Sequence, residues 1–160
     1  MHIEVDLSAQ RLTLHDSNGS VIGRFSVSTA RNGAGEQRDS EMTPRGRHQV
    51  RAKIGHGCEV NTVFSGRRPT GEIYTPRLRT RYPDRDWILT RILWLSGLEA
   101  GRNRLGLVDT MRRFIYIHGA PDDDQMGVTG SHGCIKMRND DVITLFDLVP
   151  VGTIVDIDEG

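Results

Sequence analysis

The sequence predicts a mainly β fold accompanied by one or two helices. Alternating polar and apolar residues, typical of half-buried strands, occur in HIEVDL near the N-terminus and in RRFIYIHG at 112–119. A helical spacing of apolar residues is clear near the C-terminus. Because 160 residues is the length of one domain, we expect a single unit over residues 1–160.

The first thirty residues are predicted to form a β-meander. HIEVDL and RLTLH alternate with period two, and VIGRFSVSTA resumes the pattern after the turn cluster DSNGS. The pair Asn18-Gly19 in that cluster is a strong hairpin signal. HQVRAKIG predicts another strand after the turn TPRG, and TIVDI predicts the last one.

Two central segments are more difficult to assign. Residues 55–86 are polar, rich in arginine and interrupted by three prolines, which predicts a long irregular segment. Such a segment is often a lid or a binding wall, although a decorated surface loop fits equally well. Asp86 to Gly97 fits both a helix and a buried strand, and its β-branched and aromatic residues favour the strand.

A helix is predicted to follow at Asn139, whose side chain suits an N-cap. Asp140 and Asp141 suit the positive end of the helix dipole, and Pro150 with Gly152 ends the helix. One face of this helix carries four apolar residues, Val142, Leu145, Phe146 and Val149.

Composition excludes several functional classes. Lysine plus arginine and aspartate plus glutamate both number 21, so the zero net charge gives no indication of a nucleic-acid or membrane partner. The longest apolar runs are about four residues, far too short to span a bilayer. MHIEVDLSAQ has no basic and apolar leader pattern, so we expect a cytoplasmic protein; a periplasmic location remains open if an export signal was trimmed.

The two cysteines both lie in His-Gly-Cys triplets, at 56–58 and 132–134. Two cysteines do not make a disulfide framework. Gly133 lets the chain turn tightly, so the amides of residues 132–134 are candidates for an oxyanion hole. We expect the nearby helix N-terminus to lower the pKa of Cys134 and make it a nucleophile. A buried, unreactive cysteine is the alternative.

A nucleophilic cysteine needs a base, and two histidines are available. His118 ends a predicted strand and enters the loop that returns to Cys134, so the two side chains could meet. The carbonyl of Gly119 is a candidate for orienting its ring. His132 is the rival base, but it precedes Cys134 by two residues and is better interpreted as a residue that flanks the site.

A metal site is a competing hypothesis for the triplets. His56, Cys58, His132 and Cys134 together offer the His₂Cys₂ ligand set that zinc accepts. A single glycine between the ligands of each pair is tighter than the usual spacing of two to four residues. We therefore interpret His56 and Cys58 as loop residues and predict no metal or cofactor.

The sequence resembles the YkuD family, the L,D-transpeptidase catalytic domain. The resemblance rests on IHG at 117–119 followed by SHGCIKM at 131–137. IEVDLSAQRLTL, the TPRG turn and NDDVITLFDLVPVGTIVDI extend it along the chain. It implies a β-sandwich or barrel, with Cys134 as nucleophile and His118 as general base. It also implies that the Gly119 carbonyl orients His118 and that Ser131, His132 and Gly133 complete the motif, with the 132–134 amides as oxyanion donors.

Two features depart from that family pattern. The loop between His118 and Ser131 is short for the family. Lys136 stands where arginine or asparagine is common, and its compact ammonium charge lacks the planar guanidinium that binds a carboxylate through two hydrogen bonds. The implied reaction is cysteine-dependent acyl transfer on peptidoglycan stem tetrapeptides, with carbapenems as covalent inhibitors. Candidate residues for holding the anionic peptide are Lys136, Arg67, Arg68, Arg112 and Arg113.

The expected branch of the family is the short one without a signal peptide. RPTGEIY and DWILTRILWLSG in the middle of the chain resemble cytoplasmic L,D-carboxypeptidases of muropeptide recycling, which remove the terminal D-alanine. An exported L,D-transpeptidase, which cross-links stems or exchanges D-amino acids, is the alternative. A catalytically silent peptidoglycan-binding module is the alternative from another functional class.

Overall fold

The computed structural model describes residues 1–160, which form ten strands, two α-helices and one short 3₁₀ turn at Gly106–Val108. The strands are β1 (His2–Asp6), β2 (Arg11–His15), β3 (Val21–Ser28), β4 (Gly46–Ile54), β5 (Thr62–Ser65), β6 (Arg68–Ile73), β7 (Ile88–Gly97), β8 (Tyr116–Gly119), β9 (Ile135–Met137) and β10 (Ile154–Asp158). The helices are α1 (Pro76–Arg81) and α2 (Asn139–Leu148). Neither helix is long and apolar enough to cross a membrane.

All ten strands belong to one sheet, in the order β4-β10-β1-β2-β3-β9-β8-β7-β5-β6. An additional pairing of β4 with β7 closes eight of these strands into a ring, and the β5–β6 hairpin is attached to the outside of that ring at the start of β7. The pairs β1–β10 and β8–β9 are parallel and the others are antiparallel. The predicted mainly β sandwich or barrel with one or two short helices is thereby confirmed.

The main core lies between the strands of the ring and α2. Period-two alternation directs Ile3 and Val5 of β1 and Leu12 and Leu14 of β2 inward, where they are almost completely buried. Burying each such side chain stabilises the fold by roughly 1.5–3 kcal/mol. The predicted apolar face of α2 packs into the same cluster, through Val142, Leu145, Phe146 and Val149.

The prediction of an irregular segment over 55–86 is wrong, because the segment contains β5, β6 and α1. A two-residue turn of Gly66 (φ 55°) and Arg67 (φ 63°) connects Ser65 to its partner Arg68. Two successive left-handed residues are the conformation of a tight hairpin turn, which polar composition alone does not reveal. α1 then begins after Thr75, whose hydroxyl accepts a hydrogen bond from an amide of the first turn.

Three further boundaries differ from the sequence prediction. The segment Asp86–Gly97 does contain a strand, β7, which begins at Ile88. The strand predicted at 112–119 begins only at Tyr116, because Phe114 has a left-handed φ of 57°. The three-residue strand β9 was not predicted. Asn139 is the first residue of α2 instead of its cap, since Arg138 holds the cap position and the Asn139 side chain forms hydrogen bonds elsewhere.

Candidate active site

The parallel pairing of β8 with β9 brings His118 and Cys134 to one cavity. Ile117 pairs with Ile135, so Cys134, one residue earlier, lies across from Tyr116. Tyr116 and His118 are two positions apart and share a face of the sheet, and Cys134 belongs to that same face. The side chains of His118 and Cys134 both line a cavity of about 370 Å³.

The loop at 130–134 is held by hydrogen bonds at several points. Ser131 forms a bridge with Ala30 just beyond β3, and its hydroxyl donates to the Cys134 carbonyl at 2.5 Å. The same hydroxyl accepts from the Gly133 amide at 3.2 Å. The Thr43 hydroxyl, in the TPRG turn, donates to the Gly133 carbonyl at 2.9 Å. These contacts fix the backbone that carries the thiol.

Gly133 occupies a conformation that other residues rarely adopt, with φ at 131°. A Cβ at this position would lie 3.1 Å from Ile115 Cδ1 and 3.3 Å from the Met42 carbonyl oxygen. Both the left-handed backbone and the close neighbours therefore require glycine here.

His118 is oriented by the backbone that follows it. Its Nδ1 lies 2.6 Å from the Gly119 carbonyl oxygen, which places the proton on Nδ1 and leaves the Nε2 lone pair available. The side chain is 1% exposed, and this burial lowers the pKa of His118 below its ordinary value. The imidazole is therefore neutral at pH 7, as a general base must be.

The surroundings of Cys134 favour the protonated thiol. Its Sγ accepts from the Tyr116 amide at 3.3 Å and donates to the Phe114 carbonyl at 3.4 Å. Burial raises the pKa of Cys134 to about 12, although the Tyr116 amide acts in the opposite direction. The expected lowering of this pKa by a helix N-terminus is wrong, because α2 begins five residues later, at Asn139.

This arrangement supports attack on a carbonyl carbon without a preformed thiolate. A neutral imidazole and a neutral thiol require the proton to leave sulfur as the new bond forms. The backbone amides of His132 and Cys134 have no acceptor within the protein, whereas the Gly133 amide donates to the Ser131 hydroxyl. Two of the three expected oxyanion donors are thus available to a substrate.

Arg67 lines the cavity together with Phe114 and Tyr116, and its guanidinium is held by aromatic rings. The Arg67 guanidinium lies 4.7 Å from the Trp94 ring centre and 4.9 Å from the Phe114 ring centre, and it donates to the Tyr116 hydroxyl at 3.2 Å. Such stacking contributes about 0.5–1 kcal/mol per pair near solvent. Arg113 also lines the cavity, but its guanidinium donates to the Met42 carbonyl at 2.6 Å and holds that loop in place.

The other three predicted substrate-binding residues do not line this cavity. Arg68 is exposed on β6, and Arg112 lines a neighbouring hollow. The Lys136 ammonium lies 2.8 Å from an oxygen of Asp124, and both side chains are 13% exposed. Because this carboxylate neutralises Lys136 within the protein, the lysine is not free to bind an anionic peptide.

The first triplet lies apart from this arrangement. His56 is exposed and stacks on Phe146, at 6.5 Å between ring centres. Cys58 is a free, half-buried thiol that packs against the cluster of Phe64, Ile92 and Tyr116. The ligand atoms of the two triplets do not converge on a common point.

Sequence reasoning missed a polar network behind Gly119. Thr90 is a buried, β-branched residue with a left-handed φ of 74°, which is rare and costly. Its hydroxyl donates to the Asn139 amide oxygen at 2.6 Å and accepts from the Asn61 amide at 3.0 Å. A Cβ on Gly119 would lie 2.5 Å from that same Asn139 oxygen. The left-handed Thr90 lies at an irregularity in the pairing of β7 with β8, between Leu89 and Ile92, and no local sequence pattern predicts it.

Asp86 was missed as well, and it lines the cavity together with His118 and Cys134. Its charge raises the pKa of both of these groups, although burial remains the larger influence on each. An aspartate just before a strand is a common feature, so its position in the sequence gave no signal.

Comparison with known proteins agrees with the resemblance. Residues 1–157 match the YkuD family, described as the L,D-transpeptidase catalytic domain. A relative named Probable L,D-transpeptidase ErfK/SrfK, from Escherichia coli (strain K12), is 51% identical over 85 residues, which is 52% of this chain and 26% of that protein. The protein of the same name from Salmonella typhimurium (strain LT2) is 37% identical over 93 residues, 57% of this chain and 29% of that protein. The chain thus spans less than a third of these relatives.

A solved structure shares the fold. L,D-transpeptidase 3 from Mycobacterium tuberculosis, in complex with a faropenem-derived adduct, superposes with a TM-score of 0.60 at 17% identity. The match covers 98% of this chain and 59% of the other. Since the family match extends over nearly every residue, from β1 through the His118–Cys134 cavity to β10, the chain belongs to the YkuD family of L,D-transpeptidase catalytic domains.

Proposed function

We propose that Cys134 is the nucleophile of an acyl transfer on peptidoglycan stem peptides. In its specific form, the protein is an L,D-carboxypeptidase that removes the terminal D-alanine from muropeptide tetrapeptides during cytoplasmic cell-wall recycling. The observation that carries the proposal is the shared cavity of His118 and Cys134, next to two backbone amides without acceptors. Membership of the family supports the substrate class.

The first half of the reaction would form a thioester. Nε2 of His118 takes the thiol proton while Sγ of Cys134 attacks the carbonyl carbon before D-alanine. Negative charge moves to the carbonyl oxygen, which the amides of residues 132 and 134 stabilise. The carbon–nitrogen bond then breaks, and the protonated His118 returns its proton to the departing amine of D-alanine.

The second half would release the peptide. His118, neutral again, takes a proton from water as the oxygen attacks the thioester carbon. The carbon–sulfur bond breaks and the thiolate regains a proton from His118. The products are the tripeptide acid and the free enzyme, so no cofactor or metal is consumed or required by this sequence of steps.

Two charged residues of the cavity are suited to a zwitterionic peptide. Arg67 and Asp86 both line the cavity, and neither forms an ion pair within the protein. A guanidinium held in place by Trp94 and Phe114 can bind a substrate carboxylate, and a free carboxylate can bind an ammonium group. In this proposal these two residues replace Lys136, Arg68 and Arg112 as the groups that hold the stem peptide, while Arg113 holds the neighbouring loop through Met42.

Transpeptidation is the second candidate, because the curated relatives carry that name. An amine of a second stem, or a D-amino acid, would then attack the thioester in place of water. Incubation with disaccharide-tetrapeptide, alone and with each amine, distinguishes the two by mass spectrometry. Tripeptide alone supports the carboxypeptidase, whereas exchange products or dimers support the transpeptidase. Cell fractionation tests the cytoplasmic location, and recovery outside the inner membrane would contradict it.

Covalent capture tests the nucleophile independently of the acceptor. We expect a carbapenem to add one acyl group to the protein by intact mass, and Cys134→Ala to remove that adduct. A related protein has been solved with a faropenem-derived adduct. Absence of both adduct and tripeptide would instead favour the catalytically silent peptidoglycan-binding module.

A further inference from the structure

A second group of chemically capable side chains lies on the β1–β2 hairpin. Alternation in β1 places His2 and Glu4 on the face opposite to the buried Ile3. In the antiparallel register His2 pairs with His15 of β2. One possible ligand atom from each of His2, Glu4 and His15 lies within 4.8 Å of the others. None of the three lines the Cys134 cavity.

The hydrogen bonds of the two histidines leave one ring nitrogen of each without a partner, within 4 Å of Glu4. His2 Nε2 lies 2.7 Å from an oxygen of Asp156, so the proton belongs on Nε2 and Nδ1 is free. His15 Nδ1 lies 3.3 Å from the Gly19 carbonyl oxygen, which leaves Nε2 as the free nitrogen. The two free nitrogens lie 3.9 and 3.4 Å from the two different oxygens of Glu4.

This hydrogen-bonding pattern is typical of metal-binding histidines. Such a histidine usually donates its second ring N–H to a carboxylate or a backbone carbonyl, which fixes the tautomer and the ring orientation. His2 has a carboxylate in that position and His15 has a carbonyl. The outer partners are therefore already in place around an inner set of two imidazoles and one carboxylate.

An unpaired buried atom points to a missing ligand at the same place. Nε2 of His15 is inaccessible to solvent and makes no hydrogen bond, although Glu4 is nearby. A buried polar atom without a partner is unfavourable, and native proteins usually supply one. Two carboxylates and two imidazoles lie close together here, and a cation would satisfy all of them.

We propose that His2, Glu4 and His15 bind a divalent transition-metal ion of the zinc class. Zinc binds imidazole nitrogen and carboxylate oxygen at about 2.0–2.2 Å, so neighbouring ligand atoms in a tetrahedral site lie roughly 3.3 Å apart. The observed separations of 3.4 and 3.9 Å from Glu4 are close to this spacing, and the Glu4 side chain is 57% exposed and can move toward the two rings. The ligand atoms of the two histidines lie within 4.8 Å of each other. Water would complete the coordination.

The site would stabilise the fold by cross-linking neighbouring strands and would take no part in acyl transfer. It joins β1 to β2 directly, and it joins β1 to β10 through Asp156. Binding to the native state alone stabilises that state. At a zinc concentration of about a hundred times Kd, we expect Tm to rise by about 5–10 °C.

The test is isothermal titration calorimetry of the EDTA-treated full chain with zinc sulfate, with Co²⁺ absorption to report coordination. We expect one zinc per chain. His15→Gln and Glu4→Gln should each weaken binding by more than about tenfold, and Asp156→Asn by about 10–100-fold, as for other outer-partner substitutions. Each variant is first checked for an unchanged circular dichroism spectrum.

Two control variants separate this site from other zinc-binding groups. His56→Gln removes an exposed histidine elsewhere, and Cys134→Ser removes the cavity thiol; both should retain wild-type zinc affinity. The proposal is overturned if the wild type binds no zinc, or if His15→Gln binds as tightly as the wild type. Loss of binding in Cys134→Ser but not in His15→Gln would assign the metal to the cavity instead.

Discussion

The triplet at 56–58 lies in the connection between β4 and β5, whereas the triplet at 132–134 leads directly into β9, between β3 and β8. In the first, Gly57 has open space around it and His56 is exposed. In the second, Gly133 is crowded, and the loop is hydrogen-bonded to Thr43 and to the region of Ala30.

The two His-Gly-Cys triplets therefore differ in chemistry because they occupy different positions relative to the sheet. Only the second triplet is adjacent to a strand that carries a buried histidine, His118, and only its residues His132 and Cys134 line the same cavity as that histidine. The thiol of Cys58 instead fills space against an apolar cluster. Matched substitutions in the two triplets measure this difference.

The largest expected difference is between the two cysteines. Replacing Cys134 by serine should lower D-alanine release by about 10³-fold or more, because the hydroxyl is a much weaker nucleophile at this position. Cys58→Ser should stay within about twofold of the wild type. Both rates are measured with disaccharide-tetrapeptide by mass spectrometry. Equal losses in both variants would show that the first triplet also serves the reaction.

The next difference concerns the histidines. His118→Gln should reduce kcat by about 10²–10⁴-fold, the usual contribution of a general base. His56→Gln should leave kcat within about twofold. Because glutamine cannot take the thiol proton, the residual activity of His118→Gln should increase with hydroxide concentration. A pH profile parallel to that of the wild type would argue that His118 has a purely structural role.

The two glycines provide a stability comparison. Both have left-handed φ values, 131° at Gly133 and 75° at Gly57, but only Gly133 has neighbours that a Cβ would crowd. We expect Gly57→Ala to cost about 1 kcal/mol with full activity. Gly133→Ala should cost about 1–3 kcal/mol more and reduce kcat at least about tenfold. Urea unfolding measures the free energy of unfolding of both variants, and the peptide assay measures their kcat. Equal losses of stability would mean that the loop at 130–134 can shift to accommodate the added Cβ at little cost.

The smallest effect concerns the thiol pKa. Since burial raises the pKa of Cys134 to about 12, alkylation by iodoacetamide should be slow at pH 7 and rise steadily through pH 8–10, as the thiolate fraction grows. Asp86 is a second, smaller cause of this raised pKa, so Asp86→Asn should increase the rate a few-fold at a given pH.

The alkylation rates are measured in a Cys58→Ser background, so that only one thiol reacts. Asp84→Asn is the matched control, because Asp84 is exposed and does not line the cavity. A rate that is already at its plateau below pH 7 would contradict the neutral resting thiol and indicate a preformed ion pair.

Several parts of the fold were predictable from local pattern. Strands such as β1, β2 and β10 alternate strictly, because one face is buried and the other is not. The Asn18-Gly19 turn and the apolar face of α2 follow equally local rules. The β5–β6 hairpin was missed because β6 is mostly exposed and polar and because its turn, Gly66-Arg67, is not the Asn-Gly or Asp-Gly pair that signals a hairpin most strongly.

The sequence alone determined the mainly β class, the order of most strands along the chain and, through family resemblance, the pairing of His118 with Cys134. It could not determine which charged residues share their cavity. Lys136 is neutralised by Asp124, and Arg67 and Asp86 reach the cavity from β5–β6 and the start of β7. These placements, like the burial that keeps the Cys134 thiol protonated, depend on contacts between residues far apart in the chain, and such contacts leave no local pattern.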